Sequence, residues 1–171
     1  IGAGFGGVCA AIRLRESGAQ SLVILERSSE VGGTWRDNVY PGCACDVPSH
    51  LYSFSFAPNT QWTRPYPQQQ EIQDYILRVT EQYALRPLIR FNSDVQVLRW
   101  LADQACWQVE LPGQEPLLAR HIILATGPLN KPAIPDIPGM GSFAGGSFHS
   151  GHWRHGVDLK GKRIAVVGTG A

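Results

Sequence analysis

The sequence predicts an α/β fold in which a β-meander interrupts a parallel sheet, with a second unit of the same kind beginning near the end of the chain. Three observations predict it. A glycine-rich turn, Gly2-Ala-Gly4-Phe-Gly-Gly7, runs straight into helical spacing. A short apolar run that closes on an acid, Ser21-Leu-Val-Ile-Leu-Glu26, comes next. A second strand-and-glycine unit, Arg163-Ile-Ala-Val-Val-Gly-Thr-Gly170, stands at the far end. Two such units make a coarse duplication, not a solenoid repeat.

The first helix is expected from Gly7 to Ser17, because Val8, Ala11 and Ile12 share one face and Gly18 suits a stop. Ser21–Glu26 reads as a buried parallel strand. Residues 28–50 are rich in Gly, Pro, Asp and Ser and read as loop. Pro67 begins a second helix behind a Gln-rich first turn, with Ile72, Tyr75, Ile76, Val79 and Tyr83 as its apolar stripe. Three strands are expected over Asp94–Trp100, Cys106–Leu111 and Leu117–Thr126. The third turns continuously apolar at Ile122 and should enter the buried sheet. Pro128 to Pro138 carries four prolines and reads as a stiff crossing segment.

Composition narrows the class. Of the 171 residues 43% are hydrophobic and 17% charged, an ordinary balance for a globular protein. A net charge of +1 argues for no nucleic-acid footprint. No apolar run approaches the roughly 18 residues of a membrane span. The four cysteines (Cys9, Cys43, Cys45, Cys106) fit neither a zinc pattern nor a disulfide framework, which favours reduced thiols in a cytoplasmic protein, and no metal site is expected. Ile1 stands directly before the glycine turn, with no initiating methionine. The sequence is expected to be the front piece of a longer chain.

Gly2, Gly4 and Gly7 match G-x-G-x-x-G, and each has its own task. The first permits the tight turn, the second lets the backbone approach a pyrophosphate, and the third lets helix and strand pack closely. The helix N-terminus offers free N–H groups to the phosphates. Glu26 ends the next strand about 20 residues on, where an acid binds a ribose hydroxyl. The plain alternative is a glycine-rich turn followed by a surface glutamate. An acid here disfavours the 2′-phosphate of NADPH, which leaves NAD or FAD.

The loop Ser28–Gly33, with Gly32-Gly33 shortly after the acid, resembles the FAD-binding branch of two-dinucleotide flavoproteins. Ala125-Thr126-Gly127 at the end of a strand after a meander resembles the same branch. That resemblance implies a Rossmann-like FAD-binding domain with an inserted β-meander, and a second Rossmann-like domain for NADPH beginning at Gly168-Thr169-Gly170. It implies domain limits of 1–140 for the FAD domain, 141–157 for a linker and 158–171 for the start of the NADPH domain.

Two longer motifs are more specific. Gly32-Gly33-Thr34-Trp35, then Tyr40-Pro41-Gly42, then Asp46 resembles a fingerprint of the Baeyer–Villiger monooxygenases, which are class B flavoprotein monooxygenases. Phe143-x-Gly145-x-x-x-His149-x-x-x-Trp153 resembles that family's linker fingerprint, although Arg154 stands where the family has Pro or Asp. The resemblance implies FAD contacts from Gly2, Gly4, Gly7, Glu26 and Arg27 around the first turn. From the second loop it implies Gly33, Thr34, Trp35, Asp46 and Tyr52. Val95, through its backbone, and Thr126 and Gly127 complete the implied set. NADP contacts are implied at Ala44, Cys45 and Asp46 and at Gly168, Thr169 and Gly170. Asp46 would orient a catalytic arginine beyond Ala171, and His149 would help to move the NADPH domain and not act as acid or base.

The implied reaction consumes NADPH and dioxygen. A C4a-peroxyflavin would insert oxygen beside a ketone carbonyl to give an ester or lactone, and residues 1–171 alone would show no turnover. One alternative is a flavin-containing monooxygenase that oxidises nitrogen or sulfur centres, and another is a non-catalytic flavin-binding fragment. The expected partners are a small molecule (ketone or N/S compound) and dioxygen, with no nucleic acid and no membrane span. Read without the family, Trp35 and Tyr52 are ordinary core aromatics, Asp46 could cap a turn near Ser49, and Trp62, Trp100 and Trp107 are core. Cys43-Ala-Cys45 is too closely spaced for the usual redox disulfide.

Overall fold

The structure is a computed structural model and describes residues 1–168. Helix α1 spans Phe5–Glu16 and starts two residues earlier than the apolar spacing predicts. It stops where Gly18 takes a left-handed conformation (φ 92°) and its N–H, with that of Ala19, returns to the last-turn carbonyls of Arg15 and Leu14. Helix α3, Gln69–Gln82, carries the predicted stripe inward, with Ile72, Tyr75, Ile76 and Val79 all buried. Each such side chain contributes about 1.5–3 kcal/mol of transfer free energy. Between them lies α2, the single turn Thr34–Asp37, inside the segment expected to be loop.

The parallel sheet is narrow. Strand β1, Ile24–Leu25, pairs in parallel with β2, Ile89–Arg90, in the register Ile24 to Ile89 and Leu25 to Arg90. On its other side the Gly2 N–H donates to Leu25 O at 2.8 Å. Beyond that, Ile1 N donates to Ile123 O at 2.7 Å and Ala125 N to Ile1 O at 2.8 Å. The lateral order is therefore 123–125, 1–2, β1, β2. Strand β2 follows Pro87 and is two residues long, too short to show a period in sequence.

Strands β3 (Val97–Leu101), β4 (Cys106–Glu110) and β5 (Leu117–Ala119) form the antiparallel meander in that order. Leu98, Val109 and Leu117 point the same way and pack with Leu25, Leu111, Val95 and Ile122 as a small second core. The larger core joins α1 and α3 through an aromatic pile of Phe5, Tyr52, Phe54 and Tyr75.

Three expectations need correction. The single strand predicted over Leu117–Thr126 is two pieces, because the chain leaves β4 after Ala119 and takes Ile1 as its neighbour at Ile123. Its apolar run does join the sheet, beside Ile1, as the outermost segment among the described residues, with Ile123 45% and Leu124 64% exposed. The strand predicted at 163–167 makes no backbone hydrogen bond to another segment among the described residues, and Ile164, Val166 and Val167 are exposed. An extended segment becomes a strand only when a neighbour takes its N–H and C=O groups. Trp100, expected in the core, is 48% exposed and edge-on to Trp107 at 5.4 Å, because the meander face runs past the small core that covers it.

Candidate functional site

Two cavities open side by side along the ends of the parallel segments. The first, about 440 Å³, lies over Gly2–Gly6, Glu26, Gly32–Trp35, Val95 and Thr126-Gly127. The second, about 810 Å³, lies over Tyr40, Cys43–Asp46 and His149. Arg27, Thr34, Trp35, Tyr52 and Asn130 line both, so the two adjoin as one groove.

The glycine turn forms the floor of the first cavity. Gly2 has φ 97°, and a Cβ there would fall 2.5 Å from Ala125 O, so only glycine fits. Gly7 lines no cavity. A Cβ on it would fall 1.8 Å from Gly2 O, so close helix–strand packing is what requires glycine there. Gly4 and Gly33 face each other, with a Cβ on Gly33 coming 3.2 Å from Gly4 Cα, so two bare backbones meet under the groove. Helix α1 starts here with no side-chain cap and no acid in its first turn. By contrast, the Glu71 carboxylate in the first turn of α3 accepts from Gln68 N at 3.3 Å. The α1 terminus thus keeps its N–H groups for whatever occupies the groove.

Glu26 is 4% exposed and holds the turn together. Its Oε2 accepts from Ala3 N at 2.7 Å, and its Oε1 accepts from Ser28 N at 2.9 Å and from Arg36 at 3.1 Å. A carboxylate has about four acceptor positions, so capacity for one more donor remains. Sequence reasoning missed Arg36, which also bonds Asp37 at 2.7 Å and Glu30 O. Its side chain is 16% exposed, and the partners that hold it are tertiary, so no spacing announces them. Arg27 reaches across the groove mouth to donate to Asn130 O at 2.9 Å and stands 3.6 Å from Asp37.

In the second loop Trp35 is both core and wall. It is 8% exposed, lines both cavities and donates from Nε1 to Tyr52 Oη at 2.9 Å. Burial pushes the Tyr52 phenol up, so it stays a neutral hydroxyl that can accept this bond. Tyr40 is pushed up to about 12 by its hydrogen bond to Cys43 and then by burial. Asp46 lines only the second cavity, beside Ala44 and Cys45 and apart from the glycine turn. Its side chain takes no hydrogen bond among the described residues, and Ser49 Oγ donates to Arg64 O instead of serving an Asp46 cap.

Cys43 and Cys45 are buried free thiols on the wall of the second cavity. Burial, and after it Asp46, raises the Cys45 pKa, so less thiolate forms at pH 8 than for a free cysteine. Iodoacetamide at pH 8 is expected to alkylate Cys45 at least about tenfold more slowly than a free thiol. Peptide mass spectrometry over time checks this, and labelling at the free-thiol rate would contradict it.

The linker residues lie apart. His149 lines the second cavity and accepts from Gly151 N at 2.9 Å. Trp153 stacks edge-on with Phe148 at 5.2 Å, while Phe143 is 64% exposed and closes on Gly145, where a Cβ would meet its ring at 2.6 Å. Ala44 lies with Cys45 in the second cavity. Gly168 lines neither cavity, and Thr169 and Gly170 lie outside the described residues. Among the described residues no helix is long and apolar enough to cross a membrane.

Comparison with known families places the whole chain, residues 1–171, in one match, described as pyridine nucleotide-disulphide oxidoreductase. The chain belongs to this family. Within it, the chain is 53% identical over 171 residues to a Baeyer-Villiger monooxygenase of Streptomyces coelicolor, covering all of the chain and 33% of that protein. It is 45% identical over 171 residues to a Baeyer-Villiger monooxygenase of Pseudomonas aeruginosa, covering all of the chain and 32% of that protein. The chain thus spans about a third of the length of these relatives. Among solved structures, OTEMO in complex with FAD and NADP superposes with a TM-score of 0.89 at 36% identity, over 99% of this chain and 34% of that one. Oxidised steroid monooxygenase bound to NADP gives 0.86 at 37% identity, over 99% of this chain and 33% of that one. Within the family the fold is the Rossmann-type α/β arrangement of these oxygenases.

Proposed function

We propose that this chain is the FAD-binding portion of a Baeyer–Villiger-type monooxygenase that uses NADPH and dioxygen. The observation that carries the reading is the continuous groove, with the glycine turn at one end and the Gly32–Asp46 loop along it. The residues fit FAD: bare backbone at Gly4 and Gly33, an uncapped helix terminus, and a buried acid beside the turn. FAD would supply the electron transfer and the dioxygen chemistry that side chains lack. The chain's own residues bind, orient and exclude water. The α1 terminus and glycine turn receive the pyrophosphate, and Glu26 accepts from a ribose hydroxyl. Trp35 and Tyr52 wall off the groove where the two cavities meet, which keeps water from the reacting end. Asp46 orients a cationic group from the rest of the enzyme, and Ala44, Cys45 and His149 lie where NADP would pass.

In this reading residues 1–140 are the FAD domain, 141–157 the linker and 158–171 the start of an NADPH domain. The substrate is a ketone converted to an ester or lactone. The paired fingerprints favour this over oxidation at nitrogen or sulfur.

The test is made on the full-length protein. Heat-released ligand should show the absorbance and mass of FAD, and a cyclic ketone should yield a lactone with matching NADPH consumption. A protein that binds no flavin, or turns over a thioether but no ketone, overturns the assignment. Replacing Asp46 by Ala is expected to leave NADPH oxidation within about threefold while product per NADPH falls roughly tenfold or more. Unchanged coupling would remove Asp46 from the mechanism.

A further inference from the structure

Helix α3 touches the groove loop through two amides that its sequence hides as surface residues. Gln69 and Gln73 are one helical turn apart and so lie on one face. Gln73 Nε2 donates to Val31 O at 2.9 Å, and Gln69 Nε2 donates to Trp35 O. These carbonyls are the two ends of the segment that contains Gly32, Gly33 and Thr34.

A trans peptide points its C=O and the following N–H in opposite directions. The Val31–Gly32 peptide is therefore held on both edges, by Gln73 on one side and by the 3.0 Å bond from Gly32 N to Ala3 O on the other. The Trp35–Arg36 peptide is held likewise, by Gln69 and by the 3.1 Å bond from Arg36 N to Gly33 O. The Ala3 contact ties this loop to the first glycine turn. Two glycine-rich segments, each soft alone, become one rigid floor.

The packing at Gly32 shows how closely the amide is fitted. Gly32 has φ 126°, and a Cβ there would fall 2.0 Å from Gln73 Oε1 and 2.7 Å from Cδ. Gln73 is 7% exposed, yet its Oε1 has no partner among the described residues. A buried unpaired amide oxygen is unfavourable, and an apolar side chain of the same volume would fill the space without it. The arrangement is explained if the N–H end of the amide is what the position needs.

We propose that Gln69 and Gln73 are positioning residues for the flavin site: together they fix the end peptides of Val31–Trp35, so that the Gly33 backbone and the Trp35 indole are set before the cofactor arrives. The proposal rests on the flavin reading of the groove. It assigns neither residue a contact with the cofactor, since neither lines a cavity. Preorganisation of this kind acts on affinity and on the fixed environment of the bound group.

The experiment compares Gln69→Met and Gln73→Met with Gln70→Met in the full-length protein. Gln70 sits on the exposed face of α3 and bonds Asp74. Methionine keeps the side-chain length and removes the donor. Each of the first two variants is expected to raise the Kd for FAD roughly tenfold. Each should also blur the fine structure of the bound flavin's visible absorption band, while Gln70→Met leaves both as in the parent. A change of apo-protein Tm alone, with Kd within twofold and the band unaltered, would reduce the pair to ordinary packing and overturn the proposal. Should Gln73→Met fail to fold, the half-buried Gln69→Met carries the same decision. A parent protein without flavin would instead overturn the reading of the groove itself, an outcome separate from a flavin-loaded parent whose variants behave like it.

Discussion

A Gly7→Ala substitution is expected to cost about 3 kcal/mol or more of folding stability and to prevent flavin retention. Alanine is the better helix former by about 1 kcal/mol, so propensity alone predicts a gain. Contact geometry decides otherwise. The new methyl would fall 1.8 Å from Gly2 O and 2.9 Å from Gly2 C, backbone atoms of the Gly2–Ala3 peptide, whose N–H is held by the Glu26 carboxylate at 2.7 Å. No rotamer relieves such a clash, so the helix must move away from the sheet. Thermal unfolding and the flavin absorbance of purified protein check this. A variant with parental Tm and full flavin content would show that α1 is not held as described.

Glu26→Ala is expected to destabilise the protein by about 3 kcal/mol, with Glu26→Gln costing less. Alanine would leave Ala3 N without its acceptor and Arg36 short of a partner in a site where the arginine side chain is only 16% exposed. Glutamine keeps one acceptor oxygen for Ala3 but loses the charge that faces Arg36. Replacing Arg36 and Glu26 together by apolar residues should therefore recover part of the loss, a coupling that a double-mutant cycle in urea measures directly. Strict additivity of the two single changes would show that the 3.1 Å pair carries no energy of its own.

The contrast between these two sites explains what could be read in advance. Gly7 and Gly2 were legible because what they must satisfy is local: a turn, a helix start and a strand leave one residue type possible at a fixed spacing. Glu26 was legible as an acid at a strand end, but its partner was not. Arg36 reaches it only because the chain folds back through the Ser28–Gly33 loop, and charge in a loop is ordinarily solvated. Gln69 and Gln73 were hidden for a similar reason, since polar residues near a helix start read as solvent-facing. Strand β2 lies below the length at which alternation can show. The segment at 163–167 is apolar, but an extended run becomes a strand only where a neighbour pairs with it, and none does so among the described residues. The fingerprint around Trp35 runs along both cavities: Gly32 and Gly33 line the first, Thr34 and Trp35 line both, and Asp46 lines the second alone.

Leu25 sits in the parallel sheet and also belongs to the small core beneath the meander, with Val109 and Leu111. The meander is thus not an appendage that could be exchanged for another loop of equal length. Its inner side is the buttress against which β1 rests, and Glu26 is the next residue along. A graft that altered the shape of that buttress would be felt first at the carboxylate under the groove, far from the splice in sequence and only one peptide away in space.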